Sequence, residues 1–199
     1  MKATIVTATA VVVLVTGCGT TSTTAGDEPS TAPPSSPSLS GSVSGSVSAS
    51  AAAQPTEEDL ALARALEALS KDPGPETLAQ VPFAPEVALG LARRLEPPRA
   101  RDQLAARAGW SIDAAQFRGY VGPFNALEHL DGARVDVEVG PQPHCAGPPV
   151  PAPPGLESLH RVVLQPAAGT IDSCLDWFSV DLFVDDGTVV AVTLDLWEP

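Results

Sequence analysis

Four residues near the end of the chain are the first candidates for chemistry: Trp177, Asp181, Asp195 and Trp197. Two indoles and two carboxylates on one face of a β-hairpin can stack on an apolar or cationic group and fix its polar end. Between Asp172 and Glu198 there are seven acids and no base, which favours a cation or a basic partner. A second grouping, Ser173, His160 and Asp176, can be written as nucleophile, base and acid. No Gly-x-Ser-x-Gly elbow, phosphate-binding loop, dinucleotide fingerprint or His-Glu-x-x-His helix accompanies it, so no catalytic residue is assigned. His144, Cys145 and Cys174 lack the short ligand spacing of a zinc site, and neither metal nor cofactor is expected.

The charge balance narrows the partners. The 199 residues carry 24 acids against 11 bases, a formal −13, and phosphate binding needs the opposite surplus, so nucleic acid is excluded. Arg93, Arg94, Arg99, Arg101 and Arg107 are the local countercharge. They are expected to be solvated or to pair with the acidic hairpin, with anionic lipid headgroups as the other reading.

The N-terminus addresses the protein. Met1-Lys2 precedes an uncharged run from Ala3 to Val15, shorter than the roughly 20 residues that a spanning helix needs. The run closes at Val15-Thr16-Gly17-Cys18, which resembles the lipobox of bacterial lipoprotein precursors. The resemblance implies cleavage after Gly17, diacylglyceryl transfer to Cys18, and a protein held by acyl chains on the extracytoplasmic face of the cell membrane. Residues 1–17 then form the signal peptide, and 18–55 the lipidated cysteine and its tether. From Gly19 to Pro55 there are 16 Ser and Thr and no aromatic residue, too little apolar surface to order the chain. With Cys18 assigned to lipid, Cys145 and Cys174 remain as an even pair in an exported domain. They read as a disulfide closing a loop of roughly 30 residues.

Residues 56–199 must position these groups as one α+β domain. Thr56 is a fitting N-cap before Glu57, Glu58 and Asp59, and Leu62, Leu66 and Leu69 make the buried stripe of a helix that Pro73 ends. Val87, Leu91 and Leu95 predict a second helix over about 85–95, with shorter helical pieces near 99–108 and 123–130. Arg134–Val139 and Arg161–Leu164 read as strands, and 176–184 and 188–197 as a hairpin. Alternation favours a three-residue loop pairing Val184 with Thr188, which sets Trp177 opposite Asp195. Seven prolines between Pro141 and Pro154 predict a stiff connector. The expected fold is N-terminal helices packed on a C-terminal antiparallel sheet of about four strands.

The element order and the closing run from Val180 to Pro199 resemble uncharacterised actinobacterial lipoproteins. The order also compares with cystatin-like or nuclear transport factor 2-like cones. Neither likeness supplies a site residue. The expected function is a non-catalytic domain of the cell envelope that binds a small ligand or an envelope protein. A secreted hydrolase and a purely structural envelope protein are the alternatives.

Overall fold

Thr56 opens the first helix as its neighbours predict. In the computed structural model, which describes residues 53–113, 123–143, 145 and 147–196, α1 spans Glu57–Lys71. Its cap is reciprocal: the Asp59 N–H donates to Thr56 Oγ1 at 3.2 Å, and the Thr56 N–H donates to Asp59 Oδ2 at 2.8 Å. Two donors left over by helix geometry are thereby satisfied. Leu62, Ala63, Leu66 and Leu69 are buried, and the helix ends at Asp72, before Pro73 removes the next donor. A single further turn, α2 (Pro75–Leu78), follows.

The helix expected over 85–95 is instead a strand. β1 spans Phe83–Leu91 and turns back through Ala92 and Arg93 into β2 (Arg94–Leu95). Val87, Leu89 and Leu91 alternate with Ala88 and Gly90, so the segment satisfies a period of two as well as a helical stripe. Tertiary pairing decides between them: β1 runs parallel to the last strand, with Leu89 opposite Val192 and Leu91 opposite Leu194. The register shifts between Phe83 and Ala88, where Pro85 has no N–H to give a ladder. Gly90 is required, because a Cβ there would meet the Arg94 carbonyl and the Leu95 side chain.

β3 (Arg99–Ala100) also pairs with β1, and the next helical pieces are 3-10 turns, Arg101–Ala105 and Arg107–Trp110. β4 (Ser111–Asp113) and β5 (Pro123–Asn125) make a separate ladder before α3 (Ala126–Leu130). The four expected strands follow: β6 (Val135–Val139), β7 (His160–Pro166), β8 (Phe178–Asp185) and β9 (Thr188–Leu196). They form an antiparallel run, but the sheet continues past β9. It is a mixed sheet of seven strands in the order β2-β1-β9-β8-β7-β6, with β3 also on β1. The α+β class holds, while the count of four strands and the all-antiparallel character do not.

The hairpin register also differs. Asp185 pairs with Thr188 across a two-residue turn, Asp186 and Gly187, both at positive φ (45° and 76°), the combination a type I′ turn demands. An irregularity beyond Val184 and Val189 then restores the expected alternation: Leu182 faces Val192 and Val180 faces Leu194. The bulge places Val189, rather than Val190, in the core. It also sets Ser179 opposite Asp195, so Trp177 is not opposite Asp195.

One sheet face packs on the helical side. Val162, Leu164, Val180, Leu182 and Leu194 share a core with Leu62, Leu66 and Leu69 of α1, Leu127 and Leu130 of α3, and Trp110. Trp110 is fully buried and donates its indole N–H to the Leu104 carbonyl at 2.8 Å. The other sheet face is buried as well. Arg161, Val163, Ser179, Asp181, Phe183, Ala191, Thr193 and Asp195 all lie below a tenth exposed.

Candidate functional site

The residues first singled out lie on or beside that second face. Asp181 sits in the middle of β8 and Asp195 near the end of β9, at 2 % and 3 % exposure, and Trp177 is buried just ahead of β8. Trp197 lies outside the described residues, as do Cys18 and His144. Asp181 accepts from Arg161 Nη2 in a buried ion pair, and Arg161 also lies 5.7 Å from the centre of the Phe183 ring. Arg161 Nη1 donates to the Val150 carbonyl at 2.6 Å. The proline-rich segment is therefore more than a connector, since it is fastened to this face of the sheet. Cys145 and Cys174 are bonded, with Cα atoms 5.8 Å apart, and tie the same segment to the approach of β8. Both sulfurs being covalently paired, neither is available as a thiolate ligand. Among the described residues no cluster of His, Cys, Asp and Glu could hold a metal.

The Ser173, His160 and Asp176 grouping is dispersed. His160 begins β7 opposite Val184, whereas Asp176 precedes Phe178 at the other end of the pairing, roughly 20 Å of strand away. Ser173 accepts from the Leu175 N–H and caps a 3-10 turn.

His160 finds a different acid. Its Nε2 lies 2.7 Å from Asp59 Oδ1 in the first turn of α1, 101 residues earlier in the chain. The imidazole is 44 % exposed and the carboxylate 6 %. Burial pushes the Asp59 carboxyl up, but the Thr56 N–H, His160 and the Thr56 hydroxyl outweigh it and hold the group below the ordinary carboxylate range. The pair lines a groove of about 750 Å³ between the start of α1, Gln80 and Pro82, and the hairpin turn at Asp186 and Gly187. Glu58, Asp59 and Asp186 line it as acids and Ala61, Leu62 and Val184 as apolar groups, with His160 as the one basic side chain among its lining residues. The groove combines apolar surface with the acidic side chains of Glu58 and Asp186 beside the engaged Asp59 carboxylate, a composition that suits an organic cation. No local pattern marks it: Asp59 reads as a cap residue and His160 as a strand end, and only the fold joins them.

The expected arginine pairing with the hairpin is not what Arg99 and Arg107 do. Arg99 bonds Glu96 and the Gly109 carbonyl, and Arg107 bonds Asp131 and the Ser70 carbonyl. Among the described residues no helix is long and apolar enough to cross a membrane. Comparison with protein-family models, with curated proteins and with solved structures finds no match for this chain.

Proposed function

We propose that this is a lipid-anchored domain on the extracytoplasmic face of the cell envelope that binds a small ligand or an envelope protein in the Asp59–His160 groove, without catalysis. The observation that carries the binding reading is the groove itself: about 750 Å³, partly apolar, lined by Glu58, Asp59 and Asp186 as well as His160. We place the ligand there, and not on the Trp177, Asp181 and Asp195 face, because those three side chains are buried within the domain. The His–Asp pair has the form of a catalytic base and its orienter. Yet the one hydroxyl among the lining residues, Thr56, donates to Asp59 Oδ2 at 2.9 Å and accepts from the Asp59 N–H, so it is committed to the helix cap. That favours binding over a hydrolase.

The anchoring reading rests on Val15-Thr16-Gly17-Cys18, and the Cys145–Cys174 bond suits an oxidising compartment outside the cytoplasm. The analogy of element order with cystatin-like and nuclear transport factor 2-like cones adds no residue to it. Cys18→Ser is expected to move the protein from the membrane fraction to the soluble one. Retention in the membrane would refute acylation as the anchor.

Binding is tested with the full-length Cys18→Ser protein and a panel of organic cations, including a diamine and arginine amide, followed by amide chemical shifts. Perturbations should gather at Asp59, Gln80, His160 and Gly187. A panel that moves nothing there, or moves resonances evenly over the surface, would rule the groove out.

A further inference from the structure

The two edges of the large sheet are built differently. On one side β1 is flanked by β2 and β3, strands of two residues each, and short edges resist further pairing. On the other side β6 ends the strand order with five residues, Val135–Val139, and pairs only with β7 among the described residues. The ladder fixes which backbone groups this leaves over. The Gly140 N–H donates to the Arg161 carbonyl and the Ala167 N–H to the Arg134 carbonyl, both in the register that sets Val137 opposite Leu164. Antiparallel pairing alternates, so Asp136 and Glu138 turn their N–H and C=O towards β7, while Val135, Val137 and Val139 turn theirs to the open edge. The Val139 carbonyl obeys this parity, since it accepts from Gln142 Nε2 at 3.0 Å and not from β7.

We propose that this edge is a docking surface for the β-strand of a partner protein, a strand that alternates apolar with basic residues. Main-chain bonds to the open edge hold such a strand, and its side chains give specificity. Val135 and Val137 face the core yet stay half-buried, whereas Val162 and Val180, farther into the sheet, are fully buried. Apolar side chains of an added strand would cover them. Asp136 and Glu138 stand on the opposite face without an ion-pair partner among the described residues, and Arg134 flanks them one position outside the strand. Opposite charges across a strand pair are favourable and like charges are not, so bases belong opposite the two acids.

The same rule disfavours a second copy. In the antiparallel register that pairs both β6 strands over their full length, Asp136 of each copy faces Glu138 of the other. A shift by two residues sets Asp136 against Asp136 and shortens the ladder. The chain's own tether fits no better, since residues 19–55 contain no Lys or Arg. A separate basic strand is the complementary occupant, and this edge is independent of the Asp59–His160 groove.

The full-length Cys18→Ser protein is titrated with acetyl-Val-Lys-Val-Lys-Val-amide, which sets lysines opposite Asp136 and Glu138, and with the matching glutamate peptide. The lysine peptide should bind at least about tenfold more tightly. On binding, amide exchange should slow at Val135, Val137 and Val139 and change little at Asp136 and Glu138, which already bond β7. Val137→Pro should abolish binding, because the N–H it removes points away from β7; a thermal melt verifies folding, and the exchange pattern of the unsubstituted protein stands if the variant fails to fold. Equal affinity for the two peptides, or no binding at millimolar concentration, overturns the proposal. So does slow exchange at the three valines before peptide is added, since the edge is then already covered. Shifts gathered at Gln80 and His160 instead would place the peptide in the groove, overturning the edge site and leaving the groove reading intact.

Discussion

Arg161 and Asp181 pair across β7 and β8 where water is excluded, so losing one partner leaves the other as a poorly compensated buried charge. Arg161→Met should therefore cost about 3–5 kcal/mol in urea unfolding, and adding Asp181→Leu should recover part of that loss. A single variant with wild-type stability would show that the pair does not hold the second sheet face. His129 poses a different problem. Its ring lies 5.4 Å from that of Phe178, and burial lowers its pKa, only partly offset by Glu128. The unfolded chain then binds more protons than the folded one below about pH 6.5, so stability is full above that value and falls as pH drops towards the folded pKa. Asp59 acts in a separate window, because its depressed pKa costs stability only as pH falls below roughly 4. Urea midpoints between pH 4.5 and 8 should thus decline on acidification in the wild type and stay nearly level in His129→Phe. An unchanged slope in the variant would remove His129 as the cause.

At the scale of elements, the cap and the turn are the places where single residues decide geometry. Thr56→Ala should cost about 1 kcal/mol by removing one side of the capping box, read as a lower thermal midpoint. Gly187→Ala should cost on the order of 1–2 kcal/mol, since an L-residue with a Cβ resists φ 76°. A neutral Gly187→Ala would contradict the type I′ turn. The cap was legible in the sequence, because Thr56 stands before three acids; the hairpin was legible too, but its turn was expected to hold three residues rather than Asp186 and Gly187 alone. The stripe of α1 and the strands β6 to β9 were equally legible, because each buries one face and so carries a clear period. β1 was not. Val87, Leu89, Leu91 and Leu95 fit two periods at once, and the choice is made by a parallel neighbour about 100 residues away. The hairpin loop was misread by one residue for a related reason: side-chain alternation fixes which face a residue takes, and a bulge can deliver the same faces from a shorter turn.

At the scale of the whole fold, among the described residues one sheet face packs on the helices, and Cys145–Cys174 and Arg161 fasten the proline-rich segment to the other. Replacing both cysteines by serine should cost about 3–4 kcal/mol, as expected for a loop of 29 residues. Hydrogen exchange should quicken between Val150 and Leu159 while α1 keeps its protection; uniform loosening would mean that the bond holds the whole domain and not this segment. By itself the sequence determined the cap of α1 and the alternation of the last hairpin, because each is written in neighbouring residues. Only the tertiary structure decided that the polar hairpin face is buried, since alternation shows which side chains share a face and not whether another segment comes to lie on it. It alone brought His160 to Asp59, and so made the groove. Contacts across 101 residues depend on how strands and helices are ordered in space, and no local period encodes that order.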